Sequence, residues 1–272
     1  MKTSRATRPD PPPCARRPFP PWTGLAAAST IAASARRHDR AASVARQPGI
    51  PLSRILIHGV EAKRRGERLH VDIGEDEPIE LAAAVCPSLR AGDEIERDAF
   101  DALREATADH DTREAALRLL SFRARSMREL RDRLLRKDLD PARIDRTLAA
   151  LRDAGVLDDA AFSEMHAREA VRFRPRGQRR MVAELRQKGV SETVATDAIG
   201  RVMKQEEVPE LELARRAAEG WFRRAGDDAR TRLCGRGDRA EVERVRRRFW
   251  GYMARRGFGP DAVRAAMEAV CA

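Results

Sequence analysis

Three times along this chain two amphipathic stretches meet at a tight stop, with apolar residues at the same offsets from it. The clearest copy is Met181 to Ile199, MVAELRQKGVSETVATDAI. Met181 and Leu185 share a helical face, and Gly189 can adopt the left-handed conformation that ends a helix. Val190 should then pack back on Leu185, and Ser191 should cap the next helix. Leu130, Leu134, Leu139, Ile144 and Leu148 keep the same offsets around Asp138, as do Phe249, Met253, Phe258, Val263 and Met267 around Gly257. Asp140 with Pro141, and Gly259 with Pro260, supply the following N-cap and first helical residue. The stops lie 51 and 68 residues apart. That spacing is too long for a short-period solenoid repeat and suits a tandem of three-helix units. Asp138 stands where the other two copies have glycine, at a cost in backbone comfort.

Aromatic residues make up only 4% of the 272 residues against 42% hydrophobic overall, so the core must be aliphatic, which favours helix-on-helix packing. Charged residues reach 36% with a net charge of +11, pointing to an anionic partner. Only five of the 54 basic residues are lysine, and an arginine bias of genomic origin is the competing explanation. Cys14, Cys86, Cys234 and Cys271 form no CxxC pair or metal spacing, and are expected as free thiols in a reducing compartment. No apolar run approaches the roughly 20 residues needed to span a bilayer. A soluble, cytoplasmic monomer is expected.

Residues 1–50 are Pro-rich, then Ala/Ser-rich, then Arg-rich, and read as a disordered extension or a mis-assigned start; the prolines and weak hydrophobicity argue against an export signal. Residues 53–110 read as a small α+β module. In it Ile55 and Ile57 form one arm of an antiparallel hairpin and Leu69, Val71 and Ile73 the other, with PIELAAAVC and Asp93 to Ala106 covering a face. The first three-helix unit is assigned to 111–157, opening near Asp111 or Thr112, with a capping box at Ser126 and Glu129 and a glycine stop at Gly155. The second, 158–204, follows without a linker through Leu157, Asp158 and Phe162. The third, 209–272, carries a polar interruption from Arg223 to Gly237 before a helix seven residues longer than its counterpart. The expected fold is therefore mainly α, an elongated curved tandem of three three-helix units behind a hairpin module.

The densest basic run lies in the second unit. Arg172, Arg174, Arg176, Arg179, Arg180, Arg186 and Lys188 crowd around Pro175 and Gly177, with Glu169 and Glu184 the only acids in the run. Loop arginines beside a helix N-terminus can reach phosphate or carboxylate oxygens from several directions. The plain alternative is a solvated, arginine-biased face. Arg244, Arg246, Arg247 and Arg248 give a later helix a basic face, while Trp221, Trp250 and Tyr252 read as core or interface. No phosphate-binding loop, dinucleotide fingerprint, HExxH or GxSxG element is present, and His38, His58, His70, His110 and His166 are scattered. His166 could share a helix face with Glu169. The reading is of a binder or regulator without catalytic residues, metal or cofactor.

The segments ALRLLSFRARSMRELRDRL and GVLDDAAFSEMHAREAVRFRPRGQRRMVAELRQKGV resemble the RecX family of regulators of the RecA recombinase. The resemblance covers roughly 53 to 272 and is strongest from 115 to 200; Asp138, the Gly/Arg insert near 233–237 and the first 50 residues depart from it. It implies a curved tandem of three-helix units that binds RecA, chiefly its filament on single-stranded DNA, and depresses its ATPase, strand-exchange and coprotease functions. It implies no residue roles, so the basic patch is a reading of this sequence alone. Single- or double-stranded DNA is a second expected partner class. The rival classes are a helix-turn-helix transcription regulator, with a second helix in the major groove of a specific operator, and a helical adaptor that binds protein only.

Overall fold

The computed structural model describes residues 54–74 and 77–271, so the expectations for residues 1–50 fall outside it. The described residues form two compact units that divide after Glu105.

In the first unit, β2 (Gly59–Lys63) and β3 (Arg68–Asp72) form an antiparallel hairpin, and β4 (Ile79–Ala82) adds to its edge. The hairpin closes through Arg64, Arg65 and Gly66, all at positive φ. So tight a turn selects Gly59–Lys63, with Val60 opposite Val71, as the partner of β3. The expected arm around Ile55 goes elsewhere: β1 (Arg54–Leu56) pairs with β5 (Glu94–Glu96), Ile55 opposite Ile95. PIELAAAVC and the start of the Asp93 segment, expected only as cover, thus contribute strands. Ile55, Ile57, Val71, Leu81, Leu89 and Phe100 fill the core.

Helix α1 (Arg97–Phe122) runs through Asp111 and Thr112 without a break, so no new helix starts there, contrary to the sequence expectation. Thr112 bonds its hydroxyl to Ala108 O at 2.9 Å, an arrangement that satisfies a potential cap inside a continuing helix. Then come α2 (Met127–Leu135), α3 (Pro141–Asp153), α4 (Asp159–Phe173), α5 (Gln178–Gln187) and α6 (Glu192–Gln205). The predicted caps at Ser126, Asp140 and Ser191 form, each accepting a backbone N–H from the turn that follows, and Asp158 and Asp238 cap their helices in the same way.

The glycine stops form as read, while at Asp138 the turn closes through Lys137 N on Leu134 O and Asp138 N on Leu135 O instead. Val190 N donates to Leu185 O at 3.1 Å, Phe258 N to Met253 O at 3.3 Å and Val156 N to Leu151 O at 2.9 Å, over glycines at positive φ. Asp138 takes a φ of 57°, and Leu134, Leu185 and Met253 are fully buried. A further stop, missed in the sequence because no glycine marks it, ends α6 at Glu207 with Val208 N on Met203 O.

The third unit differs from expectation between Arg223 and Gly237. Helix α7 (Glu210–Ala225) continues through its start, α8 (Asp227–Leu233) follows, and Ala229 and Leu233 are buried. The polar composition hid a one-sided helix of two turns. Helix α9 (Arg239–Arg255) has 17 residues against 10 in α5, the predicted excess, and α10 (Pro260–Cys271) closes the unit. Trp221 packs edge-on against Phe249 inside the core.

The free-thiol expectation is overturned at two positions: Cys234, just after α8, and Cys271, at the end of α10, are disulfide-bonded with Cα atoms 5.3 Å apart. Pairing 37 residues apart is set by tertiary packing, which sequence spacing does not reveal. Cys86 is free and buried. Arg230 also ties the two helices by donating to Val270 O at 3.0 Å. Because this contact and the apolar core hold the ends together anyway, reduction should cost the low end of the usual range, roughly 2 kcal/mol. Thermal unfolding with and without reductant checks this, with Cys234→Ala/Cys271→Ala indifferent to reductant.

Successive units are joined by one device used twice. The N-cap of one unit's second helix bonds the carbonyl just before the glycine stop of the next. Ser126 Oγ donates to Lys188 O, and Gly177 N donates to Arg256 O at 2.9 Å. The stop glycines sit so close that a Cβ on Gly189 would strike the Arg128 side chain, and one on Gly257 would lie 2.5 Å from Arg180 N. Asp138 belongs to the first unit, whose stop closes on no earlier three-helix unit, and so meets only the φ requirement.

Glu129 clamps the first joint, accepting from Lys188 at 3.1 Å and from Arg123 at 3.1 Å. Burial works to raise its pKa, but the hydrogen bonds from Arg123 and Lys188 prevail and bring it down to about 2. A depressed carboxylate stabilises the fold above its unfolded pKa and ceases to do so as pH falls through the folded value. The joint should therefore lose on the order of 1–2 kcal/mol, discounted for partial exposure, between about pH 4.5 and pH 2. Glu129→Gln should flatten that part of the stability profile measured by urea unfolding.

Candidate partner-binding cleft

Of the sequence-predicted basic residues, Arg186 and Lys188 come from the last turn and C-cap of α5, and Arg172, Arg174, Arg176, Arg179 and Arg180 from the end of α4, the loop to α5 and the first turn of α5. Pro175 and Gly177 break the helix there, and Gly177 is pinned by Arg256 O. Arg172, Arg174, Arg176 and Arg180 line one wall of an open cleft of about 900 Å³. The opposite wall comes from the third unit: Arg216, Arg223 and Arg224 of α7, and Tyr252, Arg255 and Arg256 of α9 and its stop. Nine arginines face two glutamates, Glu184 and Glu219.

Part of the patch is already neutralised, which corrects the reading that Glu169 and Glu184 alone oppose it. Arg172 pairs with Glu206 at 2.6 Å, Arg186 with Glu192 at 3.1 Å, and Lys188 with Glu129 at the joint. Glu184 takes both Arg176 and Arg180, and His166 Nε2 lies 3.2 Å from it; His166 thus meets Glu184 rather than Glu169. Burial opposes its ionisation, but Arg180, Arg176 and His166 hold Glu184 below the usual carboxylate range. The acids arrive from other helices, so a window of sequence does not show them.

What remains are guanidinium groups with no carboxylate partner among the described residues: Arg174, Arg223, Arg224, Arg255 and Arg256 in the cleft, and Arg179 beside it. Arg224 donates to Tyr252 Oη at 2.7 Å, and Arg256 to Pro175 O at 2.8 Å. Both lie over the Tyr252 ring, at 5.3 and 4.8 Å from its centroid. Arg179, Arg186 and Lys188 do not line the cleft, and neither do Arg244, Arg246, Arg247 and Arg248. The signal that sequence reading passed over was the doublets Arg223-Arg224 and Arg255-Arg256 at two helix ends. Arginines held at fixed positions around a concavity bind oxyanions, singly or as a run of phosphates or carboxylates.

Among the described residues no cluster of His, Cys, Asp and Glu could hold a metal ion, and no helix is long and apolar enough to cross a membrane. Fold and cleft define a tandem three-helix protein with a basic cleft between its second and third units. Residues 113–151 match the model of the first three-helix domain of RecX and residues 158–199 that of the second. The regulatory protein RecX of Halorhodospira halophila is 38% identical over 162 residues, 60% of this chain and 89% of that one. That of Pelodictyon phaeoclathratiforme is 31% identical over 153 residues, 56% and 84% of the two chains. A crystal structure of a regulatory protein RecX shares the fold, with a TM-score of 0.58 at 21% identity over 79% of this chain and 99% of that one. The chain belongs to the RecX family of regulatory proteins.

Proposed function

We propose that this chain binds the RecA recombinase, chiefly as its filament on single-stranded DNA, and depresses its ATPase, strand-exchange and coprotease activities in the cytoplasm. The observation that carries the reading, beside family membership, is the arginine cleft between the second and third units. Five of its guanidinium groups lack a carboxylate partner among the described residues, a concentration of unneutralised positive charge that favours an anionic surface. A filament offers such a surface many times over, so contacts of modest strength add along it. The proposed contact residues are Arg174, Arg223, Arg224, Arg255 and Arg256, with Arg172, Arg176, Arg179, Arg180, Arg186 and Lys188 supplying the surrounding field.

The helix-turn-helix alternative would put α3, α6 or α10 into a major groove, N-terminal residues first. Those helices expose carboxylates there: the side chains of Asp145, Glu192 and Asp261 are 54%, 65% and 92% accessible. Each is paired with an arginine, Arg131, Arg186 or Arg264, so those helix starts present little net positive charge to a DNA edge lined with phosphates. Retention of the protein on RecA filaments, beside mobility shifts on random and genomic duplex, tests both. Retention without an operator-specific shift is expected, whereas a specific duplex shift with no retention would replace the proposal.

A further inference from the structure

Two phenylalanine rings stand in solvent at matching places in the tandem. Phe122 ends α1 and Phe173 ends α4, each four residues before the N-cap of the next helix, Ser126 or Gly177. They are 75% and 76% exposed, the two most exposed large apolar side chains among the described residues. Each precedes two arginines at the same offsets, Arg123 and Arg125 in one unit and Arg174 and Arg176 in the next, so FRARS and FRPRG repeat 51 residues apart. The third unit has FRRAG, but there Phe222 packs against Trp221 and Phe249. The position is thus compatible with burial, and in the first two units the ring stays out although burying it would be favourable.

The surroundings specify what would cover these rings. Phe173 lies in the arginine cleft beside Arg174, which has no carboxylate partner among the described residues. At Phe122, Arg123 is taken up by Glu129, while Arg125 is only 8% exposed and its Nη1 has no hydrogen-bond partner. A flat apolar face amid guanidinium groups suits a ligand that is anionic along its backbone and flat and apolar between the charges. An acidic peptide supplies the charge without the faces, and a nucleic-acid duplex keeps its base faces stacked inside.

We propose that Phe122 and Phe173, with Arg125 and Arg174 beside them, are successive base-stacking stations for single-stranded nucleic acid, the cleft carrying the phosphates past the second station. The proposal rests on the cleft being an anion-binding surface and goes beyond it in naming the ligand class and the rings. The full chain is titrated against labelled oligothymidylate, an abasic strand of equal length and a duplex, with binding read by fluorescence anisotropy. Wild type should prefer oligothymidylate to the abasic strand by at least about fivefold. Phe173→Leu and Phe122→Leu, which keep an apolar side chain at an exposed site and so keep the fold, should each weaken oligothymidylate binding by about 5- to 100-fold. Abasic binding and the salt slope should not change, because no charge is lost. Leucine variants that bind oligothymidylate as wild type does, or a wild type blind to the missing bases, would overturn the stations. If that happens while removal of the cleft arginines still abolishes action on RecA filaments, the cleft stands and only the stations fall.

Discussion

Leu185→Asp should lower stability by about 4 kcal/mol or more, enough to melt the second and third units well below the wild-type transition. Leu185 is fully buried in one continuous apolar cluster that runs from Phe162 to Val270. Its carbonyl also accepts the Val190 N–H that closes the helix stop. Replacement removes the leucine volume and puts a carboxylate into an apolar cluster, and each of these changes alone costs several kcal/mol. Urea unfolding followed by far-UV dichroism reads the change; an unaltered midpoint would mean that the repeat code does not mark the core.

Gly177→Ala should cost about 3 kcal/mol although its backbone angle, φ −71°, suits any residue. The added methyl would fall on the carbonyl group of Gly257 and 2.8 Å from Phe258 N, and this is backbone that cannot swing aside. It would prise apart the joint between the second and third units, on which both walls of the cleft depend. Gly259→Ala, another glycine N-cap but with nothing within 4 Å of the new atom, is the matched control and should cost only the N-cap preference, under about 1 kcal/mol. Equal melting temperatures for the two variants would contradict the joint.

The repeat was legible because its information is local. A glycine stop, an apolar residue four before and one after, and a cap beyond sit within about twelve residues, and each piece has its own physical cause. The same locality explains what sequence reading missed. The pairing of β1 with β5 joins residues 40 apart, the Cys234–Cys271 bond spans 37, and Glu206 reaches Arg172 across 34. Asp138 was legible as an anomaly but not explained, since the close approach that demands glycine at Gly189 and Gly257 comes from the preceding unit. The candidate site was half legible: one wall could be read from the density of arginine around Pro175. The facing wall, and which arginines are spent on internal carboxylates, depended on packing between units.

That distinction selects the decisive variant. Replacing Arg176 or Arg180 would unpair Glu184, so a loss of action could reflect local damage. Arg174, Arg223 and Arg255 are exposed and have no carboxylate partner among the described residues, so Arg174→Ala/Arg223→Ala/Arg255→Ala should leave helicity and melting temperature unchanged. The direct measurement is RecA ATPase on single-stranded DNA, titrated with wild type and this triple variant over a range of salt. The concentration needed for half inhibition should rise about tenfold or more, with a shallower salt dependence. Inhibition equal to wild type at every salt concentration would contradict the proposed contacts and return the arginines to a solvated surface.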